Sequence, residues 1–202
     1  FITLVAAVLR VLPVGLPMGQ ADEALNFVWY AFIPWHDLLF EYTDTSQHTL
    51  IIALARLSME LFGENEIAYR LPVLLAGILA VPMLYKAGSL LFESKTIGLA
   101  ASGLLAFSAH PLFYSHDARS YSMTVFLSIV LVYSVIRLGD EKNRVWWGAL
   151  FVVAGFALIF AVPTNGLFIA AATVFFVATY WLKKGGIKAV LCLEFFWALA
   201  PF

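Results

Sequence analysis

Long apolar runs separated by short polar clusters dominate the chain. Six stretches are long enough to cross a bilayer, at approximately 1–18, 67–91, 96–114, 121–138, 145–162 and 166–182, and a seventh opens near Val190. The breaks "FESKT", "SHDARS", "GDEKNR", "VPTNG" and "KKGGIK" are short, as in tight connections between neighbouring spans. Between Val145 and Leu182 there is no Asp, Glu, Lys or Arg, enough chain for two crossings at about 20 residues each. The pattern predicts an all-α, polytopic transmembrane bundle. With no internal repeat or low-complexity tract, it predicts one domain over residues 1–202.

Residues 19–66 break the pattern. This connection is rich in aromatics and carries eight of the thirteen acidic residues. Within it, "HTLIIALARLSMELFG" (48–63) is marginal in length for a span. Thr49, Ala53, Arg56, Glu60 and Gly63 recur on one helical face, which predicts an amphipathic helix lying in the membrane interface. The basic residues agree. If this segment lies flat, Lys86, Lys95, Arg137, Lys142, Arg144, Lys183, Lys184 and Lys188 gather at the cytoplasmic ends, against Arg10, Arg56, Arg70 and Arg119 on the other side. The "QADEALN" and "SHDARSY" stretches then share the extracytoplasmic face.

Composition sharpens this picture. The chain has 202 residues, is 62% hydrophobic and only 12% charged, with a mean hydropathy of +0.90. These values exclude an ordinary soluble domain. The net charge of -1 says little about partners, since in a membrane protein the position of each charge matters more, and no nucleic-acid partner is expected. Cys192 is the single cysteine and forms no internal disulfide. The opening run lacks a small-residue cleavage pattern, so it is expected to be a span and not a signal peptide. The start at Phe1 and the end inside "FFWALAPF" give the expectation of an N-terminal excerpt of a longer polypeptide.

The candidate chemistry lies at the edges of the spans. Asp22 and Glu23 sit where a span ends and "EALNFVWYAF" begins; carboxylates there also suit an ordinary helix N-terminus. His116, Asp117 and Arg119 sit between two spans, where a solvated loop with an Asp117–Arg119 pair is the plain alternative. Trp29, Tyr30, Phe32 and Trp35 suit an interfacial aromatic belt. Arg70 is expected to snorkel from the start of its span, and His110 before Pro111 to mark a local helix distortion.

The order of these pieces is more specific than any one of them. An acidic pair, "QHTLIIALARLSMELFG", "AYRLPVLLAGILAVPMLYKAGSLLF" and "YSHDARSYSM" follow one another, and "RLP…AG" and "ARSYS" are the most distinctive parts. From about Val8 to Tyr133 the chain resembles C-type glycosyltransferases that use polyprenyl-phosphate sugars. It is most similar to the protein O-mannosyltransferase and lipid A aminoarabinose transferase group.

The resemblance implies a multi-pass enzyme, in a bacterial plasma membrane by preference, with its active site on the extracytoplasmic side. Asp22 would be the catalytic base. Glu23, Arg119, Arg70 and Tyr121 would bind substrate or the donor phosphate. Asp117 and His116 would hold a divalent metal (magnesium, manganese or zinc). His48 lacks the proline that often follows it in the family and is expected to be structural. The implied partners are a polyprenyl-phosphate sugar, membrane lipids and an extracytoplasmic acceptor that is a protein, a lipid or a glycan. No glycine-rich nucleotide loop is present, so no nucleotide cofactor is expected. A transporter or channel fragment, with ionisable residues along a mid-span pathway, and a non-catalytic scaffold are the competing functions.

Overall fold

A computed structural model describes residues 1–15, 17–18, 21–44, 47–138 and 143–183, and the side chains of 21, 144 and 176–183 fall outside the described set. The expected seventh span near Val190, Cys192 and most of "KKGGIK" lie outside the described residues. Among those described there are ten helices and no strand: α1 (Ile2–Val11), α2 (Ala21–Tyr30), α3 (Trp35–Phe40), α4 (Thr49–Phe62), α5 (Glu66–Leu91), α6 (Lys95–Phe107), α7 (Ala109–Phe113), α8 (Tyr121–Arg137), α9 (Arg144–Ala161) and α10 (Asn165–Lys183). Phe1–Gly166 form one compact unit, and a second begins at Leu167.

The centre of the first unit is α5, which packs against α1, α4, α6 and α8. Its start is defined by the Asn65 side chain, which accepts from the Ala68 amide at 2.9 Å. At 26 residues α5 is about 39 Å long. It is the one helix among the described residues that is both long and apolar enough to cross a membrane; α1, α6, α8, α9 and α10 are apolar but shorter over their described side chains. The expected six crossings are thus matched in position by six apolar helices, of which one has crossing length.

Small residues let α5 sit at the centre. Ala68, Ala76, Gly77, Ala80, Ala87 and Gly88 are buried along it, the composition that brings helix backbones close where lipid provides no hydrophobic drive. At the crossing with α6, Gly88 faces Gly98. A Cβ on Gly98 would stand 2.7 Å from the Tyr85 carbonyl oxygen and 2.8 Å from the Ser89 amide nitrogen, so only glycine fits.

Two helix limits depart from the hydropathy pattern. The run 1–18 is helical only to Val11, because Pro13 has no N–H to continue the ladder and the chain turns over 12–15. The run 96–114 divides at Ser108, whose ψ of 134° is extended. Pro111 causes the break, since its ring would collide with the carbonyl of Phe107, the last residue of α6. His110 was expected to mark a distortion here, and the distortion is a full interruption.

The helix α4 is amphipathic as expected, over 49–62. Ile51, Ile52, Ala55 and Met59 are buried with Leu38, Val73 and Met123 or with Tyr69 and Ala118. Arg56 and Glu60 pair at 3.2 Å, and the Arg56 guanidinium lies 4.4 Å over the Trp35 ring and bonds the Ile33 carbonyl. Thr49, placed on the polar face by its spacing, is buried at the helix start. Gly63 ends α4 with φ +91°, a conformation open to glycine. Leu57, Leu61 and Phe62 remain exposed. With Leu71, Pro72, Leu75, Leu79, Met123 and Phe126 they line an apolar groove of about 320 Å³ between α4, α5 and α8.

Candidate functional site

The first turn of α2 carries Asp22 and Glu23, and neighbouring positions on a helix point about 100° apart. Their fates differ accordingly. Glu23 turns inward and is almost wholly buried. Its two carboxylate oxygens accept from Arg70 Nε and Nη2 at 2.6 Å each, a bidentate fork, and Oε1 also accepts from the Ala118 amide at 2.9 Å. Arg70, in the second turn of α5, donates from Nη1 to the Val14 carbonyl at 2.9 Å. The expected snorkelling of Arg70 does not occur, because a buried carboxylate within reach gives its guanidinium a better partner than the interface. One ion pair therefore joins α2, α5, the turn after α1 and the loop after α7.

Asp22 turns outward. Its side chain is 44% exposed, and Oδ2 accepts from Arg119 Nη1 at 2.9 Å. Arg119 lies 4.9 Å over the ring of Tyr121, at the start of α8. Its Nε is buried with no hydrogen-bond partner among the described residues. Through Glu23–Ala118 and Asp22–Arg119 the acidic pair and the "SHDARS" loop meet, although they are almost a hundred positions apart in the chain.

Asp117 lies inside this junction, 3% exposed, with neither carboxylate oxygen hydrogen-bonded among the described residues. Burial first, then the negative charge of Glu23, raises its pKa from 3.8 to about 6, and Arg119 and Arg70 only partly offset them. His116 is half-buried, with no hydrogen-bond partner for Nδ1 among the described residues, and burial followed by the Arg70 charge lowers its pKa. His48 is buried at the N-terminus of α4, and its Nδ1 lies 3.3 Å from the Ala161 carbonyl, which also accepts from Ser120 Oγ at 2.9 Å. Both side chains thereby satisfy a carbonyl at the end of α9. Burial also lowers the His48 pKa.

Of the residues singled out in the sequence, Asp22, Glu23, Arg70, Asp117 and Arg119 are linked by these contacts and by their mutual electrostatics. Tyr121 joins through Arg119, and His116 feels Arg70 and Glu23. Tyr30 leaves the expected aromatic belt for the interior, its hydroxyl 3.3 Å from Thr43 Oγ1, whereas Trp29 and Phe32 stay exposed. Asn26 and Tyr69 were not singled out. Both are fully buried, with polar groups that have no partner among the described residues, Asn26 a turn beyond Asp22 and Tyr69 beside Arg70. Nothing in their spacing marks them, since each occupies an ordinary helical position. Among the described residues no three His, Cys, Asp or Glu side chains are arranged to hold a metal.

Comparison with known families decides the class. Residues 47–202, more than three quarters of the chain, match dolichyl-phosphate-mannose-protein mannosyltransferase. The chain belongs to this mannosyltransferase family. It is thereby a membrane glycosyltransferase of the mannosyltransferase kind, and the polyprenyl-phosphate group suggested by "RLP…AG" and "ARSYS" is supported at that level. No curated protein matches the chain, and no solved structure does. The mannosyltransferase match begins at Gln47, so α2 with Asp22 and Glu23 precedes it while Arg70, Asp117 and Arg119 fall inside it.

Proposed function

We propose that this chain is part of a multi-pass, inverting glycosyltransferase that moves a sugar from a polyprenyl phosphate to an extracytoplasmic protein, lipid or glycan, with Asp22 as the base. The observation that carries this reading is the half-exposed Asp22 carboxylate, 2.9 Å from Arg119, at a junction that also holds the unpaired Asp117. As the bond between the sugar C1 and the phosphate oxygen breaks, negative charge grows on the departing polyprenyl phosphate. The guanidinium of Arg119, with a free Nε, offsets it. The acceptor hydroxyl attacks C1 from the opposite side and its proton passes to Asp22, a contribution of about 10²- to 10⁴-fold.

Glu23 and Arg70 are committed to one another and serve to hold α2 against α5. Tyr121 orients Arg119 through its ring. Asp117 and His116, with unpartnered oxygen and nitrogen atoms, are the residues that would hold a divalent cation, which when bound would counter charge on the donor phosphate. With fewer than three protein ligands in place, the remaining positions fit phosphate oxygens and water. The donor tail fits the apolar groove, whose wall begins at Leu71, the residue after Arg70. The apolar helices and the distribution of Lys and Arg support a multi-pass protein with α2 and the 115–120 loop on the outer face, and a bacterial plasma membrane is the preferred location in this reading.

A transfer assay on the full-length protein in membranes tests this, using a panel of polyprenyl-phosphate sugars with and without chelator. Asp22→Asn should lower kcat by about 10²-fold or more at normal expression. Unchanged turnover by that variant would remove Asp22 from the role.

A further inference from the structure

Arg10 lies in the apolar helix α1, is fully buried, and has no carboxylate within ion-pair distance among the described residues. Its guanidinium is spent on neutral groups. Nη2 donates to the Leu105 carbonyl and Nη1 to those of Ala106 and Ala6, each at 3.2 Å, and Nε donates to Ser115 Oγ at 3.1 Å.

Two local causes produce this arrangement. Pro111 stops α6 at Phe107, and the chain leaves the helical path at Ser108, so Leu105 and Ala106 lose the amides that a continuing helix would supply. Carbonyls left unpaired inside a membrane bundle have no water to turn to, and Arg10 satisfies both. The second cause is Gly77 on α5. A side chain there would run into Ser115, and its Cβ would stand 3.4 Å from Arg10 Nε, so only a bare backbone leaves room for the two to meet.

A helix cap alone would need only the two carbonyls. The contact to Ser115 goes further, because Ser115 opens the turn that continues through His116, Asp117, Ala118 and Arg119. That turn is tied on one side to the acids of α2, through Ala118–Glu23 and Arg119–Asp22. On the other it is tied to Arg10. We propose that Arg10 is a positioning residue for sugar transfer: by joining the broken end of α6 to Ser115, it sets the depth at which the turn presents Asp117 and Arg119. This rests on the assignment of that turn to the donor site.

The test uses the full-length protein in membranes with polyprenyl-phosphate mannose as donor, and follows kcat, donor KM and the thermal midpoint in detergent. Ser115→Ala leaves Leu105 and Ala106 capped and removes the link from Arg10 to the turn, together with the local bonds of the Ser115 hydroxyl to the Pro111 carbonyl and to Ser122 Oγ. It should lower kcat by about 10²-fold, the effect of a misplacement of about 1 Å, with KM and thermal midpoint little changed. Arg10→Met should lose at least as much, and the double variant should be no slower than Arg10→Met alone, since both remove one linkage. Full kcat in Ser115→Ala, or losses that multiply in the double variant, would overturn the proposal. Should Arg10→Met fail to fold, Ser115→Ala decides alone. Asp22→Asn and Asp117→Asn are assayed alongside. If both are inactive while Ser115→Ala is active, only the role of Arg10 falls. If both are active, the site assignment falls and this proposal with it.

Discussion

Asp117 is held where ionisation is most costly, under cover of protein and beside the charge of Glu23. The folded chain therefore keeps its proton to about pH 6, whereas the unfolded chain releases it near 3.8. Its contribution to stability is complete below the lower value and disappears as pH rises through the upper one, a loss on the order of 3 kcal/mol. Asp117→Asn should remove this dependence, so the difference in thermal midpoint between the two proteins should grow from pH 4 to pH 6 and then level off. A constant difference across that range would contradict the burial argument. The Glu23–Arg70 pair makes a second case. Arg70→Met strands a buried carboxylate and should cost about 3–5 kcal/mol in the same assay, and adding Glu23→Gln should recover part of it. If the double variant is as unstable as the single, the charge of Glu23 is not the cause.

At the scale of helices, close approach depends on missing side chains. Gly98→Ala should force α6 away from the backbone of Tyr85 and Ser89 and lower stability by about 1–3 kcal/mol. A neutral effect on unfolding in detergent would mean that the two helices separate freely. Hydropathy made the positions of α4, α5, α8 and α9 legible to within a residue or two, since apolar length and helical period set them directly. It overran α1 and merged α6 with α7, because leucine and alanine stay apolar across a backbone break that proline imposes. The amphipathic period of α4 was readable, yet Thr49 went to the wrong side because packing beside residues of α3 and α9 overrode spacing at the helix start. The meeting of Asp22 with Arg119 was expected only in outline, from which loops share a face. Which of two adjacent acids turns inward depends on helix rotation, and that information lies in α5, not in α2. The environment of Arg10 was illegible for the same reason, since its partners are carbonyls exposed by a distant proline.

For the whole molecule, the proposed outward face of α2 and of the 115–120 loop has a direct check. In a variant lacking Cys192, a cysteine in place of Asp44 should react with an impermeant maleimide added to intact cells, and one in place of Glu93 only after permeabilisation. The reverse result would invert the proposed topology. Reaction of both in intact cells would rule out the crossing by α5. The junction also explains how a segment lying before the family match can belong to the same working unit. Glu23 and Asp22 each fasten it to a residue inside the match, at 2.6 Å and 2.9 Å. The groove between α4, α5 and α8 has a further implication. Its rim residues Leu57, Leu61 and Leu79 lie at the outer surface of the bundle, so a donor seated there as proposed would arrive sideways without leaving the lipid. Half-saturation would then track the number of donor molecules per area of bilayer, and diluting the vesicles with buffer would leave turnover per enzyme unchanged while diluting them with plain phospholipid would lower it.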